Sequence, residues 1–365
     1  MSRPTLSPLA TPSVGRLVGI VALSLALSLF FFSPILWIFR SGEPDSYQWA
    51  RANTFLLQCA QPLRHDIEPA MQWRLLPAFV AHALSLPGLT PLVLPWLGVI
   101  ASTAYVAVLI RRRCGDPRAI LGGTLLYVST SAVIAPLTLL GLNDAWVWLG
   151  LLSVAFGRSA WALPLACLLC PWVDERFLIG FPLAWLVARI DRREPVLSRA
   201  ALGAAWLVPY LSIRLIMPQL NSAAGAAESG FLTYVLQSFP SVAPLVPLGW
   251  WFGLRAAWAG VAFAAYRCPP AYRAIGACAL LVTIGVTAVL AHDLSRSIAI
   301  VLPVALLGGF ALIRDHPAHA PRVLLFAGSI GLLLPAAHVI YHTIQPISPF
   351  PFELIRVLRS NTQTL

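Results

Sequence analysis

The stretch Leu17–Ile38, LVGIVALSLALSLFFFSPILWI, carries no charged residue over 22 positions. A helix needs about 20 mostly apolar residues to cross the hydrocarbon core of a bilayer, so this stretch predicts a membrane-spanning helix. Arg3 and Arg16 precede the stretch, and no small-residue cleavage site follows it. Both features are typical of an uncleaved signal anchor whose N-terminus stays in the cytoplasm. The first span therefore indicates an integral-membrane fold.

The rest of the chain has the same apolar character. Of its 365 residues, 58% are hydrophobic and only 11% are charged, and the mean hydropathy is +0.78. Soluble domains contain about 25% charged residues, so this composition excludes a soluble enzyme, a disordered protein and a nucleic-acid-binding domain. We predict an all-α, polytopic transmembrane helical bundle of about 11 spans that forms one domain, residues 1–365. The later apolar runs lie at about 92–110, 119–139, 144–157, 160–172, 177–190, 200–217, 241–263, 274–291, 297–313 and 323–341.

The region between the first two spans, residues 39–91, predicts a long external loop. Its segment Arg74–Leu89 is apolar enough to be a short span. It is only about 15 residues long, however, and its first four residues include Arg74 and Pro77. Such a segment also fits a helix that lies along the membrane surface. The polar and apolar residues that alternate from Asp45 to Leu57 predict another interfacial helix, with its N-terminal cap near residues 41–45.

Charge distribution favours the interfacial reading of Arg74–Leu89. With this segment on the surface, the arginine clusters at 111–118, 189–194 and 314–322 all lie in the cytoplasm, whereas a crossing would move all three outside. The 25 basic residues are all arginine, and 15 of them then lie in the cytoplasm with only four of the 14 acids. The remaining spans occupy residues 92–341, and residues 342–365 form an external tail.

Five polar clusters without a role in orientation fall on the external face in this layout. Charged groups at membrane depth are costly and persist mainly where they pair or line a wet cavity. Although a polar loop would explain any one cluster, the five together predict one polar cavity open to the outside. The clusters are Glu43 and Asp45; Arg64, His65 and Asp66; Asn143 and Asp144; Asp174, Glu175 and Arg176; and His292, Asp293 and Arg296.

Arginines in two of these clusters have the chemistry of phosphate ligands. Arg176 and Arg296 each open an apolar run, where a cation gains nothing from the positive end of the helix dipole. A guanidinium fits phosphate oxygens in a bidentate manner, so we predict that both bind phosphate, with Arg51 and Arg214 as further candidates. An internal ion pair between Asp293 and Arg296 is the alternative.

The metal-binding signals in the sequence are weak. His65, Asp66 and Glu68 could bind a divalent cation or supply a second acid–base group, but HExxH spacing is missing and a salt-bridged loop explains them better. Cys167 and Cys170 have CxxC spacing without a second such pair or a histidine partner, which favours a buried apolar role. No cofactor is predicted, and the need for a divalent cation stays open.

The order of these features resembles the GT-C class of integral-membrane glycosyltransferases, which take sugars from polyprenyl-phosphate carriers. A first span is followed by D-x-Y-x-x-A-R at 45–51, by RLLPAFVA at 74–81 and by APLTLLGLNDAWVWLGLLSVAF at 135–156. The resemblance covers roughly residues 17–190. It implies that the first external loop carries a catalytic acid and two helices that lie along the membrane.

The resemblance implies an inverting glycosyltransferase of the bacterial inner membrane with its site on the external face. Asp45 is then the general base, and Asp66 and Glu43 stay open as alternatives because the loop lacks an Asp-x-Asp motif. The implied partners are the lipid bilayer, a polyprenyl-phosphate-linked sugar, and a glycan, lipid or protein acceptor, with no nucleic acid. The substrate-binding candidates are Asp144, Asn143, His65, Glu175, His292 and Asp293.

Two other functions are consistent with the same sequence. A transporter or flippase for a lipid-linked or anionic solute would use the same arginines, and it would need an internal repeat and polar residues in mid-membrane. We find no repeat, and Arg255 is the one exception to the lack of polar residues in mid-membrane. A non-enzymatic assembly subunit would need no convergent acids on one face.

Overall fold

The structure, a computed structural model, describes residues 12–34, 47–64, 66–67, 69–192, 197–220, 233, 237–290, 293–340 and 342–362. It is all-α in class and 80% helical. Within this part of the chain, four helices are long and apolar enough to cross a membrane, or five if a bent pair counts as one span. This supports a multi-pass membrane protein, while the count of about 11 spans is not confirmed. The four are Val14–Phe31, Thr90–Arg113, Pro270–Val289 and Leu294–Asp315.

The first helix and the surface helices follow the predicted order. Helix α1, Val14–Phe31, ends earlier than the predicted span because Ser33 and Pro34 leave the helical conformation. Helices α2, α3 and α4 follow; α4 has nine residues and reaches only about 14 Å, about half of a bilayer core. The three helices are Tyr47–Ala60, Pro69–Gln72 and Leu75–Ala83.

The centre of the bundle begins with helix α5, Leu94–Arg113, and helix α6, Pro117–Val128. Helix α6 and the short helix α7, Ser131–Thr138, meet at an angle of 56°. At this bend the hydroxyl of Ser129 donates to the carbonyl of Leu126 over 2.9 Å, and that of Thr130 to Tyr127 over 2.7 Å. Side chains thus satisfy backbone acceptors that the bend releases.

The remaining helices build the rest of the bundle. Each of the predicted apolar runs from residue 144 to residue 313 coincides with one helix or with a pair of helices joined by a 3-10 turn. They are α8 (Asp144–Phe156), α9 (Ala162–Leu169), α10 (Arg176–Arg192), α11 (Leu197–Leu220), α12 (Val246–Leu254), α13 (Trp258–Arg267), α14 (Pro270–Leu290), α15 (Leu294–Ser297), α16 (Leu302–Asp315) and α17 (Ala320–Leu333).

Two helix pairs approach each other through glycine. A methyl group on Gly122 of α6 would overlap the backbone of α17, and one on Gly308 of α16 would overlap the carbonyl of Gly260 in α13. Small residues at such contacts let membrane helices pack backbone to backbone, where lipid removes the usual hydrophobic driving force. These contacts fix the middle of the bundle.

The last predicted span, 323–341, is too long. Helix α17 ends at Leu333, and the chain then forms strand β1, Ala336–Ile340, which pairs antiparallel with β2, Thr343–Ile347. A short apolar run after Pro335 does not distinguish a buried strand from a helix by periodicity, which explains the error. The predicted external tail contains β2 and an amphipathic helix α18, Phe350–Thr362.

A buried arginine joins several helix ends in the interior. The side chain of Arg255, which follows α12, is fully buried; its Nη1 donates to the carbonyl of Ser129 over 2.9 Å, and its Nη2 donates to the carbonyl of Leu334. Its guanidinium also lies 4.7 Å from the centre of the Phe32 ring. These contacts follow the C-terminal ends of α6, α17 and α1, where carbonyl dipoles favour a cation.

Candidate functional site

Seven charged side chains form a continuous series of alternating sign at one end of the bundle. We call this series the charge chain, and the end that holds it the site end. Four acids alternate with three arginines, so each arginine lies between two carboxylates. In order, the members are Glu175, Arg74, Asp174, Arg176, Asp144, Arg296 and Asp293.

The middle of the charge chain is organised around Arg176, the first residue of α10. Its Nη1 lies 2.9 Å from Oδ2 of Asp174 and 3.8 Å from Oδ1 of Asp144. Its Nε donates to the hydroxyl of Ser297 over 2.8 Å, and its backbone N–H donates to Oδ1 of Asp174 over 2.9 Å. Asp174 therefore both caps the start of α10 and holds the Arg176 guanidinium.

The two ends of the charge chain differ in exposure. At one end, Nη2 of Arg74 lies 3.0 Å from Asp174 and 3.8 Å from Glu175, whose side chain is 42% exposed. At the other end, Nε of Arg296 lies 2.8 Å from Asp144, and its Nη1 lies 3.3 Å from Asp293; all three side chains are at least 92% buried. The charge chain thus runs from the surface into the interior.

The fold brings these residues together because each lies where a helix begins. Asp144 and Arg176 are the first residues of α8 and α10, Asp293 directly precedes α15, and Arg74 directly precedes α4. Helix starts that lie at the same end of a bundle place such side chains at one level. Three of the five polar clusters that the sequence places on one face therefore meet in space.

The two main predicted phosphate ligands are already paired with carboxylates in the structure. Arg176 and Arg296 each contact two carboxylates. A phosphate at either arginine has to compete with carboxylates that already offset the desolvation of the guanidinium. Within the described residues, the side chains of the charge chain pair with one another.

Two acids outside the spanning helices, Asp174 and Asp293, stay ionised in this setting. Burial raises the pKa of Asp174, but Arg176, Arg74 and Arg296 outweigh it and bring the pKa down to about 2. Burial likewise raises the pKa of Asp293, and the neighbouring arginines, Arg296 foremost, bring it below its usual range. Asp174 and Asp293 are therefore carboxylates at neutral pH.

Helices α2 and α4 lie over the site end and pack against each other. Phe55 and Ala52 of α2 meet the loop at Gly141, where a methyl group would lie 3.4 Å from the Phe55 Cβ. Nδ1 of His82 in α4 lies 3.1 Å from the carbonyl of Cys59 in α2. The two helices predicted to lie along the membrane thus form one unit over the charge chain.

The other two predicted phosphate ligands flank the charge chain. The charge of Arg51 in α2 acts on Asp293, at the buried end. The guanidinium of Arg214 in α11 lies 4.4 Å from the centre of the Trp73 ring, which directly precedes Arg74. Cation–π contacts of this kind hold a guanidinium in place without using a carboxylate.

Other predicted residues lie outside the charge chain or outside the described residues. Arg64 and Asp66 pair over 2.5 Å at the surface, where Asp66 is 65% exposed. Asn143 is buried; its Nδ2 donates to the Gly141 carbonyl over 3.4 Å, and its Oδ1 has no hydrogen-bond partner within the described part. The candidates Asp45, Glu43, His65 and His292 fall among positions that the structure does not describe.

Some members of the site were not among the residues predicted from the sequence to act there. Arg74 directly precedes an apolar segment, as Arg176 does, so the same signal would have found it. Asp174 belongs to one of the five predicted polar clusters but is not among the predicted catalytic, phosphate-binding or substrate-binding residues. The buried pair Thr138 and His338 was overlooked, although a histidine within an apolar run is itself a signal of function.

The residues that the structure describes do not support the metal-binding signals of the sequence. Among those residues, no group of three or more histidine, cysteine, aspartate or glutamate side chains has an arrangement that could hold a metal ion. Cys167 and Cys170 are buried free thiols, the apolar role predicted for them. His65 and Glu68, which completed the other candidate site, are not described.

Comparison of the chain with family models, with curated proteins and with solved structures finds no match.

Proposed function

We propose that the protein is a GT-C-like, inverting membrane glycosyltransferase that moves a sugar from a polyprenyl-phosphate donor to a hydroxyl acceptor. One observation carries this proposal: a largely buried charge chain that contains three arginines lies at one end of the bundle, next to two short helices of the predicted external loop. The first of these helices, α2, begins two residues after Asp45. Buried charge is costly in a membrane protein, and its concentration at one end favours a site for a charged ligand.

In the proposed reaction, Asp45 accepts the proton of an acceptor hydroxyl while its oxygen attacks the anomeric carbon of the donor. The bond between that carbon and the phosphate oxygen breaks, and the polyprenyl phosphate leaves with the bonding electrons. The anomeric configuration inverts because attack and departure occur on opposite faces. Asp66 and Glu43 are the alternative bases.

The arginines of the site end stabilise the charge that develops on the leaving phosphate. Arg176 lies 3.8 Å from Asp144, so that contact is the weakest that it makes with a carboxylate and the first that a phosphate oxygen could replace. Arg296, Arg51 and Arg214 surround this position in the proposal. Asp144, Glu175, Asp293 and Asn143, together with His65 and His292, bind the sugar hydroxyls.

We also propose the full membrane layout. Eleven helical segments would cross the inner membrane of a bacterium, with the N-terminus in the cytoplasm and the charge chain on the external face. The segments are α1, α5, the bent pair α6–α7, α8, α9, α10, α11, the pair α12–α13, α14, the pair α15–α16, and α17. Short helices in this set cross by tilting or by sharing ends with neighbours.

The test is a transfer assay with purified protein in detergent micelles and a panel of synthetic polyprenyl-phosphate sugars, scored by release of polyprenyl phosphate. Asp45→Asn should lower kcat by about 10²- to 10⁴-fold, the usual contribution of a general base. Arg176→Gln should raise KM for the donor. Full activity of Asp45→Asn would remove Asp45 from the base role, and donor release from no member of the panel would contradict the proposal.

A transporter or flippase of a lipid-linked or anionic solute is the second candidate. The observation that favours it is the set of interrupted helices, including the 56° bend between α6 and α7 and the buried Arg255 at another break. Discontinuous helices with polar groups at membrane depth are typical of transporters. A transporter moves its solute only between compartments, so sugar release in micelles distinguishes the two functions.

A further inference from the structure

His338 in strand β1 is a buried imidazole next to the charge chain that the proposed reaction does not use. Its Nε2 lies 2.7 Å from the hydroxyl of Thr138, which ends α7. The same hydroxyl lies 2.8 Å from the carbonyl of Ile134. A hydroxyl has one proton and a carbonyl only accepts, so Thr138 donates to Ile134 and accepts from Nε2–H of His338. This network assigns the tautomer of the imidazole.

The other ring nitrogen of His338 is left as an acceptor. In the neutral ring with Nε2–H, Nδ1 carries a lone pair, and it has no hydrogen-bond partner among the described residues. Burial lowers the pKa of His338 to about 4, with a smaller opposing effect of Asp293, so the ring is neutral near pH 7. A buried acceptor without a donor costs free energy, which makes such an atom a candidate for a ligand contact.

Two further side chains with unpaired buried acceptors, Asp293 and Asn143, belong to segments that contact β1. Neither carboxylate oxygen of Asp293 has a hydrogen-bond partner in the described part, although one lies 3.3 Å from Nη1 of Arg296. Oδ1 of Asn143 also has no hydrogen-bond partner in the described part. The loop that ends at Asn143 packs against β1 through Leu142 and Ile340, and Asp293 pairs with Ile340 as an isolated bridge. Three side chains with unpaired buried acceptors therefore lie where β1, the start of α15 and the loop before α8 meet.

We propose that His338, with Asp293 and Asn143, forms a subsite that binds the hydroxyl groups of a sugar, with Nδ1 of His338 accepting one hydroxyl proton in a hydrogen bond. A pyranose or furanose ring presents several O–H donors in a small volume, which matches a group of buried acceptors. This assignment rests on the proposed function and adds His338 to its substrate-binding residues.

Two interactions hold His338 in place for this role. The hydroxyl of Ser295 accepts the backbone N–H of Val339 over 3.0 Å, which fixes β1 against α15. Arg255 holds the carbonyls of Ser129 and Leu334, just before α7 and β1 begin. Arg255 is thus a positioning residue, because it ties together the starts of the two segments that carry Thr138 and His338.

The experiment uses the purified full-length protein and methyl glycosides of glucose, galactose, mannose and arabinose as probes. Binding is measured by saturation-transfer NMR, and protein labelled with ¹⁵N-histidine reports directly on the ring nitrogens of the seven histidines. We expect at least one glycoside to bind and to shift the Nδ1 resonance of His338. The spectrum of His338→Gln assigns that resonance by its loss.

Two variants of His338 separate the role of Nδ1 from a structural role. The amide of asparagine reaches the position of Nδ1, and that of glutamine reaches the position of Nε2. His338→Asn should therefore bind the glycoside within about threefold of the wild type, and His338→Gln about tenfold more weakly, as loss of one hydrogen bond predicts. Thr138→Ser should preserve binding and Thr138→Val should weaken it.

Several outcomes overturn the inference. If His338→Gln binds the glycoside as tightly as the wild type does, Nδ1 of His338 does not contact the sugar and bonds only to a buried water. If no glycoside binds the wild type, the subsite is contradicted even when the transfer assay succeeds. Binding that depends on His338 without any transfer would instead support the subsite and contradict the proposed reaction.

Discussion

The two ends of the bundle carry the same residue types in opposite settings. At the site end, arginines and aspartates form a series of seven groups, and Asp144 and Arg296 are almost fully buried. At the other end, which we call the arginine-rich end, Arg113 pairs with Asp191 over 2.6 Å and Asp315 pairs with Arg267 and Arg314. Arg314 is 67% exposed there.

This difference shows which charges have a role beyond orientation. Ion pairs with an exposed partner, such as Arg314 with Asp315, contribute about 0–1 kcal/mol and add little stability. In the proposed layout, the arginines of this end orient the chain in the membrane. Buried pairs cost several kcal/mol of desolvation per ion, so a series of them weakens the case for a purely structural role. The site end is the one place in the described bundle where such a cost is concentrated.

The largest expected effect comes from removing the acid shared by two buried arginines. Asp144→Asn should lower the free energy of unfolding by about 3–5 kcal/mol, because Arg176 and Arg296 both lose charge compensation in the interior. Thermal and denaturant unfolding in detergent measures this. Asp315→Asn at the arginine-rich end is the matched control and should cost about 1 kcal/mol or less. Equal losses for the two variants would remove the contrast between the ends.

A second prediction concerns acid sensitivity at the site end. Folded His338 has a pKa of about 4 and the unfolded residue about 6.5, so the unfolded state takes up the proton first as pH falls. The stability due to neutral His338 is complete above pH 6.5 and is lost as the pH falls from 6.5 to 4, by about 3 kcal/mol. Asp293, Arg296 and Arg51 are the charged groups whose fields act on His338.

The variant His338→Gln tests this pH dependence. Its unfolding midpoint, followed from pH 7 to pH 4 in detergent, should fall less steeply than that of the wild type. The contribution of Asp174 lies in a separate window, because its pKa of about 2 delays its loss until the pH falls below about 4. Parallel curves for variant and wild type would show that His338 is not buried in its neutral form.

A third prediction concerns the two surface helices. Gly141 has φ of 75° and meets Phe55 of α2, whereas Gly88 has φ of 54° and nothing within 4 Å of its Cβ position. Both alanine variants carry the backbone cost of a positive φ, about 1–2 kcal/mol. The methyl group at Gly141 would lie at ordinary van der Waals distance from Phe55. Because this strained turn packs against α2, relief of the backbone strain in Gly141→Ala should loosen α2 and speed maleimide labelling of the buried Cys59, measured by mass spectrometry. Equal labelling in Gly88→Ala would show that α2 does not depend on this contact.

The smallest effects should come from the exposed groups at each end. Glu175→Gln at the site end and Arg314→Gln at the arginine-rich end should each change the free energy of unfolding by less than about 1 kcal/mol, because water compensates both charges. The same unfolding assay applies. A large loss for Glu175→Gln alone would mean that the charge chain depends on its exposed member.

Much of the fold could be predicted because apolar runs correspond to helices. The predicted runs 144–157 and 177–190 match α8 and α10 to within two residues at each end. The hairpin that follows α17 could not be predicted, because a five-residue apolar strand has no period that separates it from the end of a span. The bend between α6 and α7 depends on hydroxyls at residues 129 and 130, which hydropathy does not reveal.

The sequence predicts which residues of the site lie at the same end of the bundle. It does not predict which of these side chains pair with one another. Polar residues at helix starts indicated that Asp144, Arg176 and Arg296 share one end, because consecutive spans reverse direction. The alternating partners depend on side-chain distances across helices that are remote in sequence, as with Arg74 and Asp174. The contact of His338 with Thr138 joins positions 200 residues apart, which no local pattern encodes.

The central claim is that the site end faces the exterior and the arginine-rich end faces the cytoplasm. Vectorial labelling tests it with a single cysteine in an otherwise cysteine-free chain, placed at Leu63 or at Gly115, and a membrane-impermeant maleimide. We predict that Leu63→Cys reacts in intact cells whose outer barrier is permeable, and that Gly115→Cys reacts only after the inner membrane is opened. Labelling of Gly115→Cys in sealed cells would place the charge chain in the cytoplasm and contradict the account.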